Sequence, residues 1–121
     1  MITHIKFVSI PTRDQDLALA FWTEKVGCKV VTDQPFDDTQ RWIELRIGTS
    51  DTRLVLFTPE GQESRIGDAF NGALACDDVA ATHRQLSERG VEFVTGPTET
   101  PWGSYAVFKD PDGNQFVLSS A

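Results

Sequence analysis

Apolar side chains at Leu17, Ala18, Phe21 and Trp22 recur at the spacing of one helical face, which predicts a helix over residues 14–27. Asp14 and Asp16 suit the positive end of its dipole, and Gly27 stands where a left-handed terminating residue is wanted. A short apolar strand, residues 28–32, follows. The pattern then recurs. Asp77 and Asp78 offer an N-cap, Val79, Thr82, His83 and Leu86 share a face, Gly90 closes the helix, and residues 91–95 form the next strand. Strict alternation marks four further strands, at residues 42–46, 53–57, 105–109 and 115–119.

Residues 24–32 and 87–95 match in pattern at an offset of 63, and the same offset pairs residues 42–46 with 105–109. The turn Asp110-Pro111-Asp112-Gly113-Asn114 is a strong hairpin signal, because Pro presets φ and Gly accepts a positive one. Each half reads strand, helix, three strands. The expectation is an α+β fold of two tandem βαβββ modules within one domain, 1–121, with module one at 1–60, module two at 68–121 and a Gly-containing joint over residues 59–70.

Strand parity separates two faces. Ile43, Leu45, Ile47, Leu54, Leu56, Ala106, Phe108, Phe116 and Leu118 share one parity, are all apolar, and are expected under the helices. The opposite parity mixes Trp42, Glu44, Arg46, Arg53, Val55, Phe57, Tyr105, Val107, Lys109 and Val117. Aromatic surface with a few polar groups suits a ligand-holding groove better than a plain solvated face.

Composition narrows the function classes. With 18 acidic against 11 basic residues, net charge −7 and a sequence pI near 4.6, the chain lacks the dense positive track that nucleic acid requires. No apolar run reaches the roughly 18 residues of a membrane span, and the first residues lack a secretory layout, so a cytoplasmic protein is the expectation. Residues 1–60 carry 7 basic and 9 acidic side chains, and residues 61–121 carry 4 and 9, so most of the acidity lies in the second module. Cys28 and Cys76 are far apart with no C-x-x-C pairing and read as small hydrophobes.

Ser9-Ile10-Pro11 leading to Asp14, the run from Ala20 to Gly27, Asp77-Asp78-Val79, Arg89 to Phe93, Pro101-Trp102-Gly103 and the Asp110 to Asn114 turn follow one another in an order that resembles the vicinal oxygen chelate superfamily of glyoxalases, bleomycin-resistance proteins and extradiol dioxygenases. The resemblance implies a curled mixed sheet forming a cup, helices on its outer face, and a homodimer. It also implies a divalent metal held by His or Glu on four strands. Counting from Asp14 and Asp78 puts two of those positions at Phe7 and Asn71; the last strands give Val117 and Val55, with Leu56 as the other register. Phe and Val cannot ligate and Asn offers one neutral oxygen, so neither a metal nor another cofactor is expected. His4 falls on the opposite face from Phe7, and His83 lies on a helical apolar face, where packing is its expected role. No G-x-S-x-G, phosphate loop or cysteine with an adjacent base is present.

The resulting expectation is a metal-free binding protein, similar to bleomycin-resistance proteins, that sequesters an aromatic or cationic small molecule such as a drug. Phe7, Trp42, Phe57, Trp102 and Tyr105 would supply stacking surface, Val117 apolar lining, Glu44 a seat for a cation, and Asn71 a hydrogen bond. Arg46, Arg53 and Lys109 on the same face weigh against a purely cation-selective cup. One alternative is a lyase, isomerase or dioxygenase-like enzyme of the superfamily, with Glu44 as general base. The other is a dimeric regulatory module in which Trp42, Trp102 and Phe36 meet a partner chain. The segment 100–104 would also serve as a lip over the cup.

Overall fold

The computed structural model describes residues 1–120; Ala121, the last residue of the expected domain, lies outside them. The elements are β1 (Phe7–Ile10), α1 (Gln15–Ala20) running into a π-helical turn at Phe21–Val26, β2 (Lys29–Pro35), β3 (Arg41–Arg46), β4 (Arg53–Leu56), a short 3₁₀ turn at Glu63–Arg65, β5 (Ala73–Cys76), α2 (Val79–Glu88), β6 (Phe93–Thr100), β7 (Gly103–Lys109) and β8 (Gln115–Ser120). They form two βαβββ modules in an α+β fold. The strands pair as two open, mixed four-stranded sheets, β1-β4-β3-β2 and β5-β8-β7-β6. In each sheet the first strand joins parallel to the last of its module, and the other pairs are antiparallel.

The capping chemistry falls where the sequence places it. The Asp14 carboxylate accepts from Leu17 N–H at 3.0 Å, and that of Asp78 from Ala81 N–H at 2.9 Å. Each such cap contributes about 1 kcal/mol. Gly27 (φ 96) and Gly90 (φ 89) adopt the left-handed conformation that ends their helices.

Several features depart from the periodicity reading. The first helix is regular only to Ala20; the Gly27 N–H then bonds the Trp22 carbonyl at 3.0 Å, five residues back, as a π-turn requires. Leu17, assigned to the apolar stripe, is 54% exposed, whereas Ala18, Phe21 and Trp22 are buried. The outer strands β2 and β6 run to Pro35 and Thr100, past the expected ends at 32 and 95. Both carry a register shift near the start, between Val30 and Thr32 and between Phe93 and Thr95. These extensions are polar and lie at sheet edges, so no alternating apolar signal marks them.

One continuous core joins the modules. Ile43, Leu45, Leu54 and Leu56 from the first sheet meet Phe108, Phe116 and Leu118 from the second, through Phe21, Trp22 and Leu86 of the helical segments. Trp22 is fully buried, with its ring 4.9 Å from Phe116 and 6.3 Å from Phe108. His83 packs against Phe93 at 4.5 Å, while His4 is exposed and precedes β1. Cys28 is buried, which pushes its thiol up to about 11; Cys76 is half-buried. Because both sheets turn their apolar parity toward this shared core, their opposite faces look away from it.

The Asp110 to Asn114 turn is the polar counterpart of that core. Asp110 Oδ1 accepts from the backbone N–H groups of Asn114 at 2.9 Å and Asp112 at 3.0 Å, and Oδ2 accepts from Asn114 Nδ2 at 2.9 Å. Asn114, fully buried, reaches the Pro11 carbonyl at 3.5 Å, and Asp112 accepts from Arg13 N–H at 3.0 Å. Burial raises the Asp110 carboxyl above its ordinary value, against the hydrogen bonds that lower it.

Two outcomes follow. Trp22→Ala removes a buried indole at the seam, and a loss of about 3–5 kcal/mol is expected in chemical denaturation. A raised folded pKa means that the folded chain takes up the Asp110 proton before the unfolded chain does. Wild type should therefore gain stability relative to Asp110→Asn as pH falls from neutral toward about 4. Denaturation midpoints of the two proteins across that range check this, and a difference independent of pH would contradict it.

Candidate functional site

The outward face of the first sheet is built in cross-strand rows. Register pairs Glu44 with Val55 on β4 and with Thr32 on β2, and pairs Gln34 with Trp42. The next row links Lys29, Arg46, Arg53 and Phe7. Side chains directly opposite share a face, so Phe7, Trp42, Glu44, Arg46, Arg53 and Val55 all project from one surface. Phe57 follows β4 in the same parity.

Aromatic rings gather on this surface. Trp42 lies 5.5 Å from Phe7 in an edge-to-face contact and 5.1 Å from Phe57. Phe36 adds a fourth ring, 4.8 Å from Phe57 and 6.1 Å from Trp42. It is brought there by the β2–β3 turn, where Asp37 Oδ1 accepts from the N–H groups of Thr39 and Gln40, both at 2.8 Å. These bonds, with that of the Thr39 hydroxyl, hold the Asp37 carboxyl below the usual range. Phe57 and Val55 are buried, whereas Phe7 is 38% and Phe36 59% exposed, so the ring cluster is half open to solvent. Trp42 Nε1 donates to Glu44 Oε2 at 2.9 Å, which fixes the indole against the carboxylate.

The remaining expected site residues lie on module two. Asn71 and Val117 line a cavity of about 340 Å³ together with Phe70, Val107 and Gln115. Tyr105 shares the Val117 face, opposite Ser119 in the register. Trp102 stands apart at the β6–β7 turn, 86% exposed. Phe7, Trp42, Glu44 and Phe57 are thus brought together, Asn71 and Val117 form a second group, and the two groups belong to different sheets. Phe70 beside Asn71 escaped sequence reading, since a joint residue has no parity; Gln115 falls on the outward parity of its strand, where a strand-end Gln has no distinguishing chemistry. A larger concavity of about 930 Å³ opens on the core side between module one and α2, lined by Val8, Leu54, Leu74 and Ala81 among others.

The donor set does not fit a divalent metal. Phe7 packs on Trp42, Val55 is fully buried, and Asn71 and Val117 sit in the module-two cavity. Among the described residues no three His, Cys, Asp or Glu side chains converge on a point where an ion could sit.

The family profile of the Glyoxalase/Bleomycin resistance protein/Dioxygenase superfamily matches residues 2–118. The chain belongs to this superfamily. It is similar to the uncharacterized protein YetH of Bacillus subtilis (strain 168), 34% identical over 118 residues and 98% of each chain. Among solved structures of the superfamily's fold, it resembles TnmS3, an antibiotic binding protein from Streptomyces sp. CB03234, at 39% identity and TM-score 0.85, covering 98% of this chain and 96% of that one. A superfamily member from Sphaerobacter thermophilus DSM 20745 superposes with TM-score 0.88 at 29% identity, covering 99% and 98%. No helix among the described residues is long and apolar enough to cross a membrane.

Within the superfamily, this donor set makes a direct prediction. Natively purified protein should carry no stoichiometric zinc, nickel, manganese or iron by elemental analysis, and adding these ions should leave its melting temperature unchanged. One bound ion per chain would contradict the reading of Phe7, Val55, Asn71 and Val117.

Proposed function

We propose that this superfamily member is a metal-free binding protein that sequesters a flat aromatic small molecule on the outward face of its first sheet. The observation that carries the reading is the cluster of Phe7, Phe36, Trp42 and Phe57 on a face whose ligand positions lack metal donors. Ring planes of this kind offer stacking contacts of about 0.5–1.5 kcal/mol beyond area burial. Similarity to an antibiotic binding protein over nearly the whole chain supports small-molecule binding as the function. Glu44 Oε2 accepts the Trp42 indole N–H, which ties the ring to the carboxylate at the site.

The cup closes, in this reading, when a second copy supplies its module-two face over the first copy's aromatic face. What supports this is geometry: the two outward faces of one chain turn away from a shared core, so neither covers the other. Asn71, Tyr105 and Val117 then line the same site as Phe7, Trp42 and Phe57 across the subunit boundary. Trp102, at the exposed β6–β7 turn, borders that contact. Sequestration takes place in the cytoplasm.

The test uses 1-pyrenemethanol, a neutral flat probe, titrated against tryptophan emission. Saturable quenching is expected, with Trp42→Ala weakening affinity about tenfold or more, the equivalent of about 1.4 kcal/mol, while the melting profile stays cooperative. Sedimentation equilibrium should give twice the 13.4 kDa chain mass. Absence of binding in a folded protein, or binding indifferent to Trp42, would refute the proposal.

A further inference from the structure

Lys29, Arg46 and Arg53 stand in one cross-strand row beside Phe7, paired in register Lys29 to Arg46 and Arg46 to Arg53. Adjacent strands lie about 4.8 Å apart, so three cationic stems rise within about 10 Å of sheet. Like charges directly opposite one another oppose folding. None of the three makes an ion pair within 4.0 Å among the described residues. Arg53 Nη1 is buried without a hydrogen-bond partner. The carboxylate on the adjoining row, Glu44, is directed to the Trp42 indole.

The internal repeat supplies the comparison. At the equivalent positions module two has Glu92, Lys109 and Gln115, and there Lys109 Nζ meets Glu92 Oε2 at 3.8 Å. The same row of the same fold is therefore neutral in one module and bears three unpaired cations in the other. The fold does not require the charge.

We propose that this row seats an oxyanion, a carboxylate, sulfonate or phosphate, carried by the flat ligand whose rings lie on Phe7, Trp42 and Phe57. The inference rests on the aromatic-face reading above and specifies its ligand class. A guanidinium presents a planar fork that binds such groups through two parallel hydrogen bonds; that of Arg46 is exposed on this row, and the inner Arg53 Nη1 has no partner within the chain. The whole chain carries −7, so its long-range field draws cations. A preference for an anion has to arise locally.

Three pyrenes of one shape decide the matter by titration calorimetry: pyrene-1-sulfonate, neutral 1-pyrenemethanol and cationic 1-pyrenemethylammonium. The sulfonate is expected to bind about tenfold or more tighter than the alcohol, with the gap narrowing as salt rises. Arg46→Gln with Arg53→Gln should abolish the gap and leave alcohol affinity unchanged; Lys29→Gln, at an exposed position, should reduce it without touching the fold. Equal affinities, a cation preference, or a gap that survives these substitutions would overturn the oxyanion seat while leaving the aromatic reading standing. Loss of self-association with the gap intact would assign the row to the subunit contact and overturn it too. Failure of all three pyrenes to bind would remove the aromatic reading and this inference together.

Discussion

The two halves of the chain are held as one body by Trp22. Its indole leaves the π-helical turn after α1 and packs edge-on against Phe108 and Phe116, which stack on each other at 5.3 Å on the apolar side of the second sheet. The indole sits in the π-helical turn, where the Trp22 carbonyl accepts from both Gly27 and Cys28, at 3.0 and 2.8 Å. The indole N–H is buried without a partner. An orphaned donor costs about 1–3 kcal/mol, so the contact is held by apolar burial and ring packing, which outweigh it. Everything on the outward faces inherits its orientation from that seam.

Much of this architecture was legible in the residues. The repeat, the Asp14 and Asp78 caps, the Gly27 and Gly90 terminators and the apolar parity of Ile43, Leu45, Phe108 and Phe116 all rest on local rules that tertiary contacts reinforce. What escaped was non-local or parity-breaking. A π-turn keeps the spacing of a regular helix over residues 17–22 and betrays itself only in hydrogen bonding. Leu17 obeys the helical stripe yet is exposed, because the stripe is wider than the surface it covers.

The candidate site divides in the same way. Trp42, Phe57, Arg46 and Arg53 share a face by simple alternation, and the sequence alone places them there. Lys29 does not. Counting by twos from Thr32 sends it to the core side; the register shift between Val30 and Thr32 returns it to the outward face beside Arg46. Phe36 lies in a turn, where alternation says nothing, and reaches Trp42 through the Asp37 hydrogen bonds. The positions Phe7, Val55, Asn71 and Val117 come from the family resemblance and from counting along the strands, and only the chemistry of the residues standing there is then read from the sequence.

The register shifts in β2 and β6 carry a consequence for solubility. These are the outermost strands of their sheets, and each leaves one row of backbone donors and acceptors without a neighbour in the chain. Such edges are templates for indefinite strand addition. An extra residue inserted near the start of each edge bends and twists it, and Pro35 and Pro97 remove a donor farther along. A stacking partner would have to reproduce the same kink, in the same place, to continue the ladder. The irregularity that brings Lys29 to the outward face therefore also obstructs growth into a fibre.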